Sequence, residues 1–436
     1  MPGLSGARHQ RLIKPLSAEW LVEPRDGGRV AVTLIKLIDD SALKAALEAH
    51  GRYLRREPGG RRLGLTYHDL SNCNLEGLDL SEADLTGAIL SGASARAARF
   101  DRAILYGVDL RDADLRNTSL ERTDLRGACL RGANLAQARM VGCDLREGNT
   151  ALQDRKDGYR LLKHERRAGD LERAILTGAD LSGAQLSEMG GVAADFRDAV
   201  LVGASLNGAR MRNARLDGAD LSNCNLAGTD FSGASLKGAI VVGANLSAAS
   251  TSGANLEGLL KAPPPIVYID DRPLADLIRD HRLWCETGGL KGAFFSGTEV
   301  DFRSLGTLRD VSLTALTAQR AVFYGMDMTG AELQGADLTG ADLRAVCLRG
   351  ADLRGAKLRD AQLTRADLSL AKLGPLDVGQ GRLVRADLSR ADLRQANLSG
   401  ADLTRARLIE ADLDGVQIQG ANLTLAEYDP LTLDAA

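Results

Sequence analysis

The sequence predicts an all-β solenoid with short α-helical caps, and three observations carry that prediction. From Phe323 to Tyr428 every fifth residue is apolar, giving 22 consecutive centres of which 17 are Leu. The residue two places before the centre is Ala in 17 of those 22 cases, as in Ala336-Asp337-Leu338 and Ala401-Asp402-Leu403. Finally, one amphipathic segment occurs twice, each time just ahead of a run of this kind.

A five-residue step cannot build a helix face. An α-helix turns about 100° per residue, so successive centres would rotate by roughly 140° and scatter around the axis. Gly also recurs shortly after the centre, as at Gly87, Gly127, Gly335, Gly340 and Gly350, and it penalises a helix interior. In an extended chain, residues two apart share a side. Ala and Leu then point inward and the residue between them outward. A short extended piece and a corner, repeated, stack into coils that bury one continuous core.

The unit Ala-Asp/Asn-Leu-Ser/Thr/Arg-Gly/Arg, seen as Ala83-Asp84-Leu85-Thr86-Gly87 and Ala351-Asp352-Leu353-Arg354-Gly355, resembles the pentapeptide-repeat family. The resemblance covers about two-thirds of the chain. It implies a right-handed quadrilateral β-helix with one pentapeptide on each side.

Along the chain, residues 1–40 come first. Trp20-Leu21-Val22 and Val30 to Ile35 read as two short strands around Asp26-Gly27-Gly28, a candidate β-hairpin. Residues 41–64 are a helical cap, because Leu43, Leu47, His50 and Tyr53 follow the spacing of one helix face. Residues 65–260 form the first solenoid, with 17 centres from Leu65 to Leu145 and 18 from Leu171 to Leu256. The two series differ in phase by one residue across an insert at about 146–170. From Ala151 the insert reads ALQDRKDGYRLLKHERRAGD, expected to be a loop or short helix bulging from the stack. Residues 261–272 are a Pro-rich linker, since Pro263-Pro264-Pro265 cannot continue a β ladder. Residues 273–307 are a second cap, in which Leu274, Ile278, His281 and Trp284 repeat the first cap's face at one fixed offset. Residues 308–436 form the second solenoid, read as unbroken from Phe323 to Tyr428. A solenoid end exposes apolar core and unpaired strand edges, which is the reason to expect caps.

Composition sets wider bounds. A chain of 436 residues with 44% apolar content can hold two or three cored domains. No stretch suits a transmembrane helix, and the opening MPGLSGARHQRLIKPL lacks the apolar run of a signal peptide. The cytoplasm is therefore the default location. The six Cys show no metal spacing. Cys73, Cys143 and Cys224 take the inward Ala place, Cys129 and Cys347 point outward, and Cys285 lies on the second cap. All are read as structural, reduced thiols.

No catalytic set is visible. The five His form no nucleophile–base pair, and no phosphate-cradling loop or zinc set occurs. His50 and His281 are related by the duplication and are expected to hold the caps through a loop carbonyl. His68 marks the first cap junction, and His164 is a solvated residue of the insert. The protein is expected not to be an enzyme and to need no cofactor or metal.

The favoured function is a scaffold binding another protein through its solenoid faces, the insert, or the crevice between the solenoids. Loops on a rigid frame commonly carry function. The insert has seven Lys or Arg against five Asp or Glu from Arg146 to Asp170. Its candidate contact residues are Tyr159, Arg160, Leu161, Lys163, His164, Arg166 and Arg167. The alternative rests on the resemblance, since quinolone-resistance members of the family present an acidic surface that occupies the DNA site of DNA gyrase. It makes this protein a DNA-mimicking modulator or protector of gyrase or another type II topoisomerase. Residues 20 apart should stack, and one such column reads Glu332, Asp352, Lys372, Asp392, Asp412. From Gly306 to Ala436 there are 18 Asp or Glu against 15 Lys or Arg, a mixed surface where a mimic needs dense charge of one sign. No direct nucleic-acid or membrane partner is expected. A bare apolar end after Tyr428 would favour a homodimer through the C-terminal coil.

Overall fold

Each pentapeptide folds as a short extended piece followed by a turn. At Leu85-Thr86-Gly87-Ala88 the Ala88 N–H donates to the Leu85 carbonyl at 3.0 Å, and Gly87 sits at φ +61°. This is a type II turn, which needs left-handed backbone at its third residue. The extended piece has no partner in its own coil, so it bonds to the coils on either side. Leu85 N–H donates to the Ile104 carbonyl at 2.8 Å, and Asp84 N–H to the Leu63 carbonyl at 2.9 Å. Parallel bridges thus link Gly64, Asp84, Ile104 and Asp124 up one face. Four such faces close a right-handed quadrilateral β-helix. Ala83, Leu85, Ala351 and Leu353 are fully buried inside it.

The computed structural model describes residues 35–156 and 159–429, with 149–166 given by their backbone only. The candidate hairpin around Asp26-Gly27-Gly28 lies outside the described residues. The chain divides into two units, Met1–Ala262 and Pro263–Ala436, each with its own core.

In the first unit, helix α1 (Asp40–Leu54) starts at Asp39, whose carboxylate accepts from the Ala42 N–H at 2.8 Å. Leu43, Ala46 and Leu47 pack on the solenoid core, and His50 is fully buried. Its Nδ1 accepts from the Leu63 N–H at 3.1 Å. In the second unit His281 of helix α2 (Leu274–Glu286) repeats the contact, with Nδ1 accepting from the Phe295 N–H at 3.0 Å. The partner of Nδ1 is thus a backbone donor, while the Ser81 backbone faces the His50 ring and the Leu313 and Thr314 backbone faces that of His281. Where each coil begins, a backbone donor needs an acceptor, and a neutral imidazole supplies one.

The insert is also corrected. It is neither a loop nor a short helix but an antiparallel hairpin of β1 (Gly148–Lys156) and β2 (Tyr159–Arg167). Pairing Gly148 with Arg167 through to Lys156 with Tyr159 satisfies backbone groups that a loop would leave to water. The chain leaves the stack after Leu145 and rejoins it at the same corner. There the Gly169 N–H donates to the Leu145 carbonyl at 2.8 Å. Cys129 consequently bridges to Asp170, 41 residues on instead of 20.

Within the segment expected to be plain linker, β3 (Tyr268–Ile269) pairs with β4 (Arg272–Pro273). The second solenoid then begins on a ring stack, with Phe302 and Phe323 centroids 4.4 Å apart. It is not unbroken. After Leu373 a short hairpin of β5 (Leu376–Asp377) and β6 (Leu383–Val384) leaves the corner, so Lys357 bridges to Asp387, 30 residues on. Val378 and Leu383 hold the apolar phase of the repeat, yet they lie outside the stack, 50% and 47% exposed. Ten extra residues are two full periods, and the phase passes through them unchanged. The columns shift accordingly: Lys372 bridges to Asp402, not to Asp392.

Candidate partner-binding surface

The outward residue before each centre has a local task. Asp84 Oδ1 accepts from the Thr86 N–H at 3.1 Å and from the Thr86 hydroxyl at 2.7 Å. The same Asx turn recurs at Asp180, Asp337, Asn397 and Asp402. It occupies a turn N–H that would otherwise face solvent. Where Arg follows the centre, its guanidinium closes on the same carboxylate. Arg354 Nε and Nη2 lie 2.9 and 2.7 Å from Asp352, and Arg344 and Arg394 hold Asp342 and Asp392 alike. Hydrogen bonds from Arg116 hold the Asp114 carboxyl below its usual range. Ser232 and Arg212 take Asp230 down to about 2. Much of the acidic charge is thus neutralised within its own pentapeptide.

At the inward Ala place several hydroxyl and thiol groups give their proton to the backbone. Thr123 and Thr229 donate to the Phe100 and Leu206 carbonyls at 2.8 Å, and Cys224 Sγ lies 2.9 Å from the Leu201 carbonyl. Burial pushes the Cys224 thiol up to about 12, so it stays protonated. Cys129, expected to point outward, is buried between neighbouring coils.

Both hairpins leave the stack at corners preceded by glycines. A Cβ on Gly127 (φ +68°) would stand 2.8 Å from the Gly148 carbonyl carbon, and one on Gly355 (φ +68°) would stand 2.8 Å from Leu376 Cβ. Only glycine lets each hairpin lie flush on the corner before it.

All seven candidate contact residues fall on β2. Tyr159 pairs with Lys156, Arg160 with Arg155, Leu161 with Asp154, and Lys163 with Leu152; His164 pairs with Ala151, Arg166 with Asn149, and Arg167 with Gly148. The structure brings Arg167 to the foot of the hairpin, beside a cavity of about 450 Å³ also lined by Glu147, Asp170, Glu172, Glu188 and Arg210. The sequence reading missed this notch. Its signal was Gly190-Gly191, which puts glycine in both the outward and the centre place, where other repeats carry a side chain. The notch gathers carboxylates and guanidinium groups at the foot of the hairpin. Among the described residues no group of three or more His, Cys, Asp or Glu is placed to hold a metal ion. No helix there is long and apolar enough to cross a membrane.

No curated protein matches the chain. Among solved structures it is similar to HetL, a pentapeptide repeat protein involved in heterocyst differentiation regulation from the cyanobacterium Nostoc sp.. Identity is 25% over 86% of this chain and 93% of that one, with a TM-score of 0.18. It is similar also to QnrB1, a plasmid-mediated fluoroquinolone resistance protein, at 17% identity over 46% of this chain and 90% of that one, with a TM-score of 0.25. Superpositions this loose carry no argument about function. A family model for pentapeptide repeats matches residues 69–146, 169–188, 194–258, 308–374 and 386–424, and so passes over both corner hairpins. The chain belongs to the pentapeptide-repeat family.

Proposed function

We propose that the protein is a non-enzymatic scaffold that binds another protein through its corner hairpins, above all β1–β2. The observation that carries this reading is the contrast between stack and insert. The faces of the solenoid satisfy their own turns and pair many of their own charges, whereas β1–β2 departs from the repeat for nine residue pairs and is rich in Arg and Lys. The notch at its foot extends the same surface onto the stack.

Removing residues 148–168 tests it. That deletion joins Glu147 to Gly169 and restores a 20-residue coil, so the stack stays in register. Full-length protein and the deletion are compared by pull-down from source-cell lysate with mass-spectrometric readout. Loss of a specific protein on deletion supports the hairpin as the contact, and unchanged capture removes the hairpin from consideration.

A DNA-mimicking modulator of a type II topoisomerase is the second reading. It draws on the column Asp342, Gln362, Asp392, Asp412. Arg344 and Arg394 sit on that column and blunt it, where a groove competitor needs unpaired charge of one sign. We expect no inhibition of supercoiling by purified gyrase and no protection from quinolone; either effect at micromolar protein would restore the second reading.

A further inference from the structure

His50 and His281 do the same thing at two places in one chain. Each is fully buried, and each offers Nδ1 to the N–H of the residue that opens its solenoid, Leu63 or Phe295. Each ring stacks on an aromatic one turn along its helix, Tyr53 at 5.8 Å and Trp284 at 5.7 Å between centroids. Because Nδ1 accepts, the imidazole must be neutral with its proton on Nε2.

We propose that these two histidines are acid-sensitive latches. Protonation of Nδ1 turns the acceptor into a donor facing another donor, so the cap lets go and the first coil of its solenoid is bared.

The surroundings differ in an informative way. His50 is faced by Tyr53 and by Arg62, and from the coil by Asp79, Glu82 and the Ser81 backbone. His281 is faced by Trp284, by Phe294 at 5.5 Å, by the Cys285 thiol 3.6 Å from Nε2, and by the Leu313 and Thr314 backbone. Burial lowers the pKa of both rings. The Ser81 backbone, then Asp79 and Glu82, partly offset burial at His50, and the Thr314 and Leu313 backbone does so at His281. A lowered folded-state value means that the stabilisation is whole above the ordinary value of about 6.5. It is lost as pH falls through the lowered value.

Hydrogen exchange of the full chain at about pH 7.5 and about pH 5, on either side of the ordinary histidine value, tests the proposal. Protection factors for peptides carrying Leu63 and Phe295 are compared with those for a mid-stack peptide carrying Leu353. The expected result is a loss of protection at the two junctions in acid, with Leu353 unchanged. His50→Asn and His281→Asn keep an acceptor oxygen near the Nδ1 position and cannot titrate, so they should abolish the acid loss at their own junctions. An equal change at all three peptides, or acid loss that persists in the Asn variants, would overturn the proposal. Imidazole ¹⁵N spectra of the unmutated protein provide a second readout that needs no variant. The rings of His50 and His281 should hold the Nε2–H form and titrate below the ordinary value, and both titrating near that value would equally overturn it.

Discussion

Asp352 shows what a single outward residue contributes. Its Oδ1 accepts from the Arg354 backbone N–H at 3.2 Å and from Arg354 Nε at 2.9 Å, and it is 8% exposed. Asp352→Ala should cost about 1–3 kcal/mol, because a turn donor and a charged side chain lose their acceptor. Asp352→Asn keeps the turn bond and should cost less. Arg354→Ala, which removes a side chain 43% exposed, should cost less than about 1 kcal/mol. Leu353→Ala, in the fully buried stack, should cost about 2–5 kcal/mol. Urea unfolding of the four variants checks the order, and an Arg354→Ala cost exceeding that of Asp352→Ala would refute the turn as the reason for Asp. The inward and outward assignment of Leu353 and Asp352 was legible from the period alone. The task of the Asp was not, because the acceptor matters only once a type II turn has left an N–H uncovered. The co-occurrence of Asp two residues before Ser, Thr or Arg was the available clue.

The hairpins belong to the next scale. Gly127→Ala and Gly355→Ala each place a Cβ against the hairpin and also strain a left-handed backbone. Gly203→Ala (φ +68°) pays only for the strain, since nothing lies within 4 Å of its Cβ. The first two should therefore destabilise by more than the roughly 1–2 kcal/mol of the third. Thermal melts of the three variants give the comparison, and equal losses would mean that the hairpins do not rest on the corners. How much of each insert could be read depended on its length. The first shifts the phase and so announced itself. Its Asp157-Gly158, a two-residue hairpin signal, was the clue to its form. The second is ten residues long and keeps Val378 and Leu383 at apolar phase positions, so a count of fives runs straight through it. Deleting residues 375–384 should restore a 20-residue coil and leave the melting temperature within a few degrees.

For the whole molecule, each unit carries its own cap, its own first-coil latch and its own core. Residues 263–436 expressed alone should fold and unfold cooperatively, with a melting transition matching one of two in the full chain. A fragment without a calorimetric transition would show that the second unit depends on the first. The division was visible in three prolines and a duplicated helix face, features of composition and period. The pairing of His50 and His281 was visible too, but which atom met which was not, because a sequence shows neither tautomer nor approach.

The corner after Leu145 has one more implication. The ladder resumes at Gly169 as though nothing had intervened, and the corner after Leu373 behaves in the same way. The stack senses only where an excursion starts and where it ends, two points a single turn apart. Whatever lies between is free to change in length and sequence without a word to the core. Such a chain is a rack with sockets, able to acquire a new recognition element at any corner while its frame stays the same.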